Sequence, residues 1–169
     1  MAGLDLSRLS PDDAVVALRS YSRRYRAELL PVPGDDRADE IATRLGPEGE
    51  SALDVVSDVT RTLGLLGSEL HRTLTLDEPL LHPAVADPSR RHWDSPGPER
   101  IDDALVLLDH ELDALVDLTR SVVTTEDWTR RATVAGGASH SALDLLKEAV
   151  AVGATGLDRV HAVLTAVRD

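Results

Sequence analysis

The stretch SALDVVSDVTRTLGLLGSELHRTLT, Ser51–Thr75, decides the fold. Leu53, Val56, Val59, Leu63, Leu66 and Leu70 recur in steps of three and four, which lines one side of a helix with apolar side chains. The helix is expected to start near Glu50-Ser51 and to run to about Thr75. Beside the apolar stripe lies a second one of small and polar residues, Ser57, Thr60, Gly64, Gly67 and His71, again at helical spacing.

Outward from this segment the same period returns three times. Ser10-Pro11-Asp12-Asp13 is a helix start, with a capping serine, proline at the first helical position and acids that complement the dipole. Ala14, Leu18, Tyr21, Tyr25 and Leu29 follow on one face, and Pro31-Val-Pro33-Gly34 stops the helix. A polar stretch, Asp35–Glu50, holds a short helical turn at Asp39–Arg44 before Gly46, Pro47 and Gly49 break it. Residues 76–99 carry five prolines and read as a long excursion, a length that in a small domain points to function or mobility. The third helix begins at Pro98-Glu99-Arg100 and presents Ile101, Leu105, Leu108, Leu112, Leu115 and Val122. A break at Thr124–Trp128 and the run Gly136-Gly137-Ala138-Ser139 lead into a last helix with Leu143, Leu146, Val150, Gly153, Leu157, Val160, Leu164 and Val167 in register.

Four helices without an alternating strand pattern predict an all-α four-helix bundle formed by one domain over residues 1–169. The long connections after helices 1 and 2 allow a crossover rather than simple up-down-up-down order. Phenylalanine is absent and tyrosine and tryptophan number two each, so the core is expected to be Leu, Val and Ala.

Charge and composition narrow the function. A net charge of −12 repels phosphate backbones, and no helix is dense in basic residues, so no nucleic-acid partner is expected. No apolar run approaches the roughly 18–20 residues of a membrane span, and the N-terminus lacks the regions of a signal peptide. The expectation is a cytoplasmic protein with no membrane partner. With no cysteine there is no disulfide, thiolate nucleophile or cysteine metal site.

Chemistry is hard to find. The six histidines, at 71, 82, 92, 110, 140 and 161, form none of the spacings that place two ligands on one metal. His71 and His161 flank core faces and could approach each other, but lack a third converging ligand. No phosphate-binding glycine loop and no Gly-x-Ser-x-Gly occur. Neither a metal nor another cofactor is expected. In the last helix, Gly153, Ala154, Thr155 and Gly156 replace larger residues mid-helix, where each glycine costs about 1 kcal/mol against alanine. Such residues, with the small stripe of the second helix, imply either close packing or an internal pocket.

These are also the places where the chain resembles a family, the DinB-like four-helix bundles. That family includes metal-dependent thiol transferases and the N-terminal domain of mycothiol-dependent maleylpyruvate isomerase. Ser51-Ala-Leu-Asp-Val-Val-Ser57-Asp-Val is similar to the opening of the family's second helix, where a histidine ligand stands. Asp127-Trp128-Thr-Arg130 resembles the Asp-Trp-x-Arg before its last helix. Ser141-Ala-Leu-Asp-Leu-Leu and Gly156-Leu157-Asp158-Arg159-Val160 resemble the helix that carries its His-x-x-x-His pair. The resemblance puts the first ligand on Ser57 and the pair on Val152 and Gly156, or on Ala151 and Thr155. It therefore implies a scaffold whose metal ligands are gone and whose cavity remains.

The expected function is a metal-free DinB-like protein that binds a small molecule or acts as an accessory protein. Its candidate pocket is lined by Ser57, Asp58, Thr60, His71, Val152, Thr155 and Gly156, and covered in part by residues 76–99. One alternative is an enzyme using acid–base chemistry at Asp58 or His71. Another is a homodimeric interaction protein pairing through Val15, Leu65, Val106 and Val123, which lie off the main stripes.

Overall fold

The computed structural model describes residues 6–32, 37–91, 93 and 96–168. Pro33, Gly34, Asp35 and His92, which figure in the sequence reading, lie outside the described residues. The chain is predominantly helical. Its helices are α1 (Pro11–Leu29), α2 (Ala38–Thr43), α3 (Ala52–Thr75), α4 (Pro83–Ala86), α5 (Ile101–Ser121) and α6 (Ala142–Arg168). Single 3-10 turns cover Pro88–Arg90 and Glu126–Thr129.

The start signals act as side-chain caps. Ser10 Oγ accepts from the Asp13 amide while Asp13 accepts from the Ser10 amide, and Ser51 with Asp54 repeats the exchange at α3. Ser141 and Asp144 do the same at α6, with hydrogen bonds of 2.8 and 3.0 Å. Burial and the hydrogen bonds from Ser141 act oppositely on the Asp144 carboxyl, and the hydrogen bonds win, lowering its pKa. At α5 the cap comes from elsewhere: Asp39 of α2 accepts from the Ile101 amide at 2.8 Å.

The long helices share one apolar core. Both α1 and α3 pack on α5 and α6, so α1 and α3 occupy opposite corners. Hydrogen bonds from Tyr21 to Val150 and from Tyr25 to Gly153 advance together along the two helices, so α1 and α6 run parallel. Gly64 faces Glu111 and Gly67 faces Leu115, so α3 and α5 are parallel too. Asp58 meets Arg159 whereas Thr62, one turn later, shares a cleft with Glu148, so α3 and α6 are antiparallel. The sense is up, down, down, up. The connection from α3 to α5 must therefore return along the whole of α3, about 36 Å at 1.5 Å per residue.

That return path explains the proline-rich excursion. It carries α4, buries Leu81 and Val85, and is held to α3 by Trp93, which donates to Asp58, and by the Pro96 carbonyl, which accepts from Arg61.

Three sequence expectations need correction. A two-stranded antiparallel hairpin, β1 (Arg131–Thr133) with β2 (Ser139–Ser141), stands where only a break and a glycine run were read. Its turn uses Gly136 and Gly137 at φ of 106° and 99°, a region open to glycine. Val15, read as a surplus surface residue, belongs to the core, and Leu65 packs on the core's edge; Val106 and Val123 are exposed. Finally, α6 has the length and the mean hydropathy (1.2) of a membrane span although no unbroken apolar run was evident. A core helix passes the same test, and α6 packs against α1 and α3.

Candidate functional site

The seven candidate pocket residues separate into three groups. Asp58, Val152, Thr155 and Gly156 line one cleft between α3 and α6, of about 340 Å³. Ser57 and Thr60 line a second cleft of about 480 Å³, between α3, α5 and the segment Pro96–Pro98. His71 is exposed near the far end of α3 and lines shallow clefts against Leu118 of α5. His161 pairs with Glu28 of α1 at 3.1 Å, near the opposite end of the molecule from His71, so the two histidines do not meet.

The small residues of α3 and α6 look in different directions: Gly64 and Gly67 face α5, whereas Gly153 and Gly156 face α1 and Val59. A methyl group at Gly153 would overlap the Tyr21 ring, and one at Gly156 would overlap Val59 and the Tyr25 hydroxyl. These glycines exist for close packing. Burial raises the Tyr25 pKa far above the ordinary phenol range, so its hydroxyl stays a neutral donor to the Gly153 carbonyl, at 2.8 Å. Tyr21 donates to Val150 in the same way, also at 2.8 Å.

The α3–α6 cleft is the polar one. Arg159 of α6 donates to Glu50 at 2.7 Å and to Asp58 Oδ2 at 3.2 Å. Burial works to lower the Arg159 pKa, but the two carboxylates outweigh it and raise it. Asp58 Oδ1 accepts from the Trp93 indole at 3.0 Å, so both its oxygens are engaged in hydrogen bonds within the chain. Arg91 reaches in from the return segment, with its Nε fixed on the Ala84 carbonyl at 3.1 Å. Its Nη2 lies 3.6 Å from Glu148, an ion pair but too long for a hydrogen bond. Thr62, on the cleft's α3 wall, is 1 % exposed. Thr62 Oγ1 and Arg91 Nη2 are both buried and without a hydrogen-bond partner, an expensive condition for polar atoms.

The residues present do not fit a divalent metal. Ala151, Val152 and Gly156 offer no ligating side-chain atom, and Asp58 is already held by Arg159 and Trp93. Among the described residues no three His, Asp or Glu side chains gather as a metal site would require. Ser57 lines a different cleft from Val152 and Gly156; the neighbouring residues that line theirs are Asp58 and Val59.

Sequence reading missed Thr62, Arg91, Glu148 and Arg159. Thr62 and Arg159 lie about one turn from Asp58 and Thr155, so extending the polar face along both helices would have found them. Arg91, half of the pair Arg90-Arg91, lies inside the proline-rich excursion of residues 76–99, where no helical period assigns it a face. The chain matches no protein-family model and no curated protein sequence.

Proposed function

We propose that the chain is a DinB-like four-helix bundle that works without a metal and binds a small polar molecule in the cleft between α3 and α6. The observation that carries this reading is the Glu50–Arg159–Asp58 cluster. The positions that the resemblance assigns to the paired metal ligands, Val152 and Gly156, lie in the same cleft as Asp58 and Arg159. A guanidinium there supplies, from the chain itself, the positive charge that a metal would bring to the carboxylates. The family reading itself rests on the sequence resemblance, whose Asp127-Trp128-Thr129-Arg130 stretch stands just before β1 and α6. The cleft's size is within the range of small-ligand sites.

Acid–base catalysis by Asp58 or His71 has less support. Asp58 is engaged at both oxygens, and His71 is exposed and outside the polar cleft.

The test has two arms. The purified chain, incubated with zinc or nickel and then dialysed, should retain no stoichiometric metal by elemental mass spectrometry. A thermal-shift screen of small polar metabolites should find compounds that raise the melting temperature, with amide shifts at Thr62, Val152 and Thr155 in NMR spectra. Stoichiometric zinc or nickel refutes the metal-free reading, and shifts confined to other surfaces refute the cleft.

A further inference from the structure

Four features of the α3–α6 cleft are independent of its metal history. Thr62 and Arg91 are among its lining residues, and Thr62 Oγ1 and Arg91 Nη2 are both buried without a hydrogen-bond partner. The Arg91 side chain is 12 % exposed and is anchored through Nε, so its guanidinium plane is fixed before any ligand arrives. Arg159, the other cation, is committed to Glu50 and Asp58 and has no need of a further anion. Thr155 adds a hydroxyl at the exposed lip.

We propose that this cleft takes a small organic acid as its carboxylate, with one carboxylate oxygen accepting from Arg91 Nη2 and the other from Thr62 Oγ1. The inference rests on the small-molecule reading above and adds the ligand's chemical class. A planar anion with two acceptor oxygens satisfies both buried donors at once, and a guanidinium donor makes a charge-assisted hydrogen bond stronger than a neutral one. Glu148 marks the same preference from within. Among the described residues it is the carboxylate paired with Arg91 Nη2, yet it stops at 3.6 Å and its side chain remains 45 % exposed. An incoming acid completes the contact that Glu148 leaves unmade, and Glu148 turns outward to solvent. The rest of the acid lies along Val152 and Ala151, the apolar part of the lining.

The experiment titrates the full chain with acetate, pyruvate and benzoate, each against its neutral amide, and with inorganic phosphate, followed by NMR at the Thr62 amide and the Arg91 Nε–H. The acids should give saturable shifts that the amides do not. Arg91→Gln should weaken the acids about tenfold, the loss of one charge-assisted hydrogen bond. Thr62→Val should also weaken them while leaving the melting temperature equal or higher, because it removes a buried unpartnered hydroxyl; a purely structural role for Thr62 predicts the opposite change in melting temperature. Glu148→Gln should tighten the acids severalfold by removing a competing carboxylate.

Acids and amides that bind alike overturn the carboxylate assignment and leave the small-molecule reading standing. Phosphate binding as well as the acids overturns the planar-anion geometry. If neither series shifts these signals, the carboxylate site is overturned, whereas the small-molecule reading is decided separately by the metal analysis and the metabolite screen.

Discussion

In α6, Gly153 and Gly156 lie against Tyr21, Tyr25 and Val59; in α3, Gly64 and Gly67, at the same three-residue step, lie against Glu111 and Leu115 of α5. The α6 pair has no room for a methyl group, since aromatic rings and a β-branched side chain already touch the backbone. The α3 pair is less confined. A methyl at Gly67 would sit 3.5 Å from Leu115, an ordinary contact, and one at Gly64 would meet the carboxylate end of Glu111 at 3.0 Å, which would have to give by a few tenths of an ångström. One spacing thus serves two environments: Tyr21, Tyr25 and Val59 exclude a side chain at the first pair, whereas the second meets only the end of Glu111 and an ordinary contact with Leu115. The difference also sorts the clefts. Toward α1 the glycines of α6 let two tyrosines close the seam, whereas Gly64 and Gly67 line a shallow groove between α3 and α5.

The largest test of this contrast is Gly156→Ala. Overlap with Val59 and the Tyr25 hydroxyl should cost more than the helix propensity returns, for a net destabilisation of about 2 kcal/mol in urea unfolding. A stabilised variant would break the comparison. Tyr25→Phe comes next, with a loss of about 1 kcal/mol for the hydrogen bond to Gly153, and no change in the depth of ring packing. Gly67→Ala should move the other way, gaining about 0.5–1 kcal/mol, because α3 improves its propensity at no steric cost. The smallest effect is an acid one. The side-chain and backbone hydrogen bonds with Ser10 hold the Asp13 carboxyl below its ordinary value of 3.8. Its contribution is therefore complete above that value and is lost as pH falls through the lower folded-state value. Circular dichroism melts between pH 6 and 3 should show the start of α1 loosening over that range, and Asp13→Asn should flatten the response.

The sequence was most legible where one surface decided everything. The stripes of α1, α3, α5 and α6 and the serine starts predicted the long helices, because each needs only its own period and its own cap. The hairpin at Arg131–Ser141 was invisible for the converse reason: two three-residue strands carry too little alternation, and Gly136-Gly137 signals a turn without saying what it joins. The site was less legible. Consecutive residues on a helix point about 100° apart, so a one-residue choice between Ser57 and Asp58 selects a different partner helix. A single chain's periodicity says which residues share a face but not which neighbour that face meets. Arg91 was beyond reach in another way, since its place depends on how 25 residues of connection travel back along α3.

The parallel pairing of α1 with α6 has a kinetic consequence. Tyr21 and Val150 are 129 residues apart in sequence, and Tyr25 and Gly153 are 128 apart. Closing the tyrosine seam joins nearly the two ends of the chain, a loop whose entropy is repaid only after the intervening helices have taken their places. The seam is therefore expected to close late in folding, with its contacts largely unmade in the transition state. Damage there should leave the refolding rate nearly constant and appear as faster unfolding, so that the glycine pair of α6 governs how long the folded molecule lasts rather than how quickly it forms.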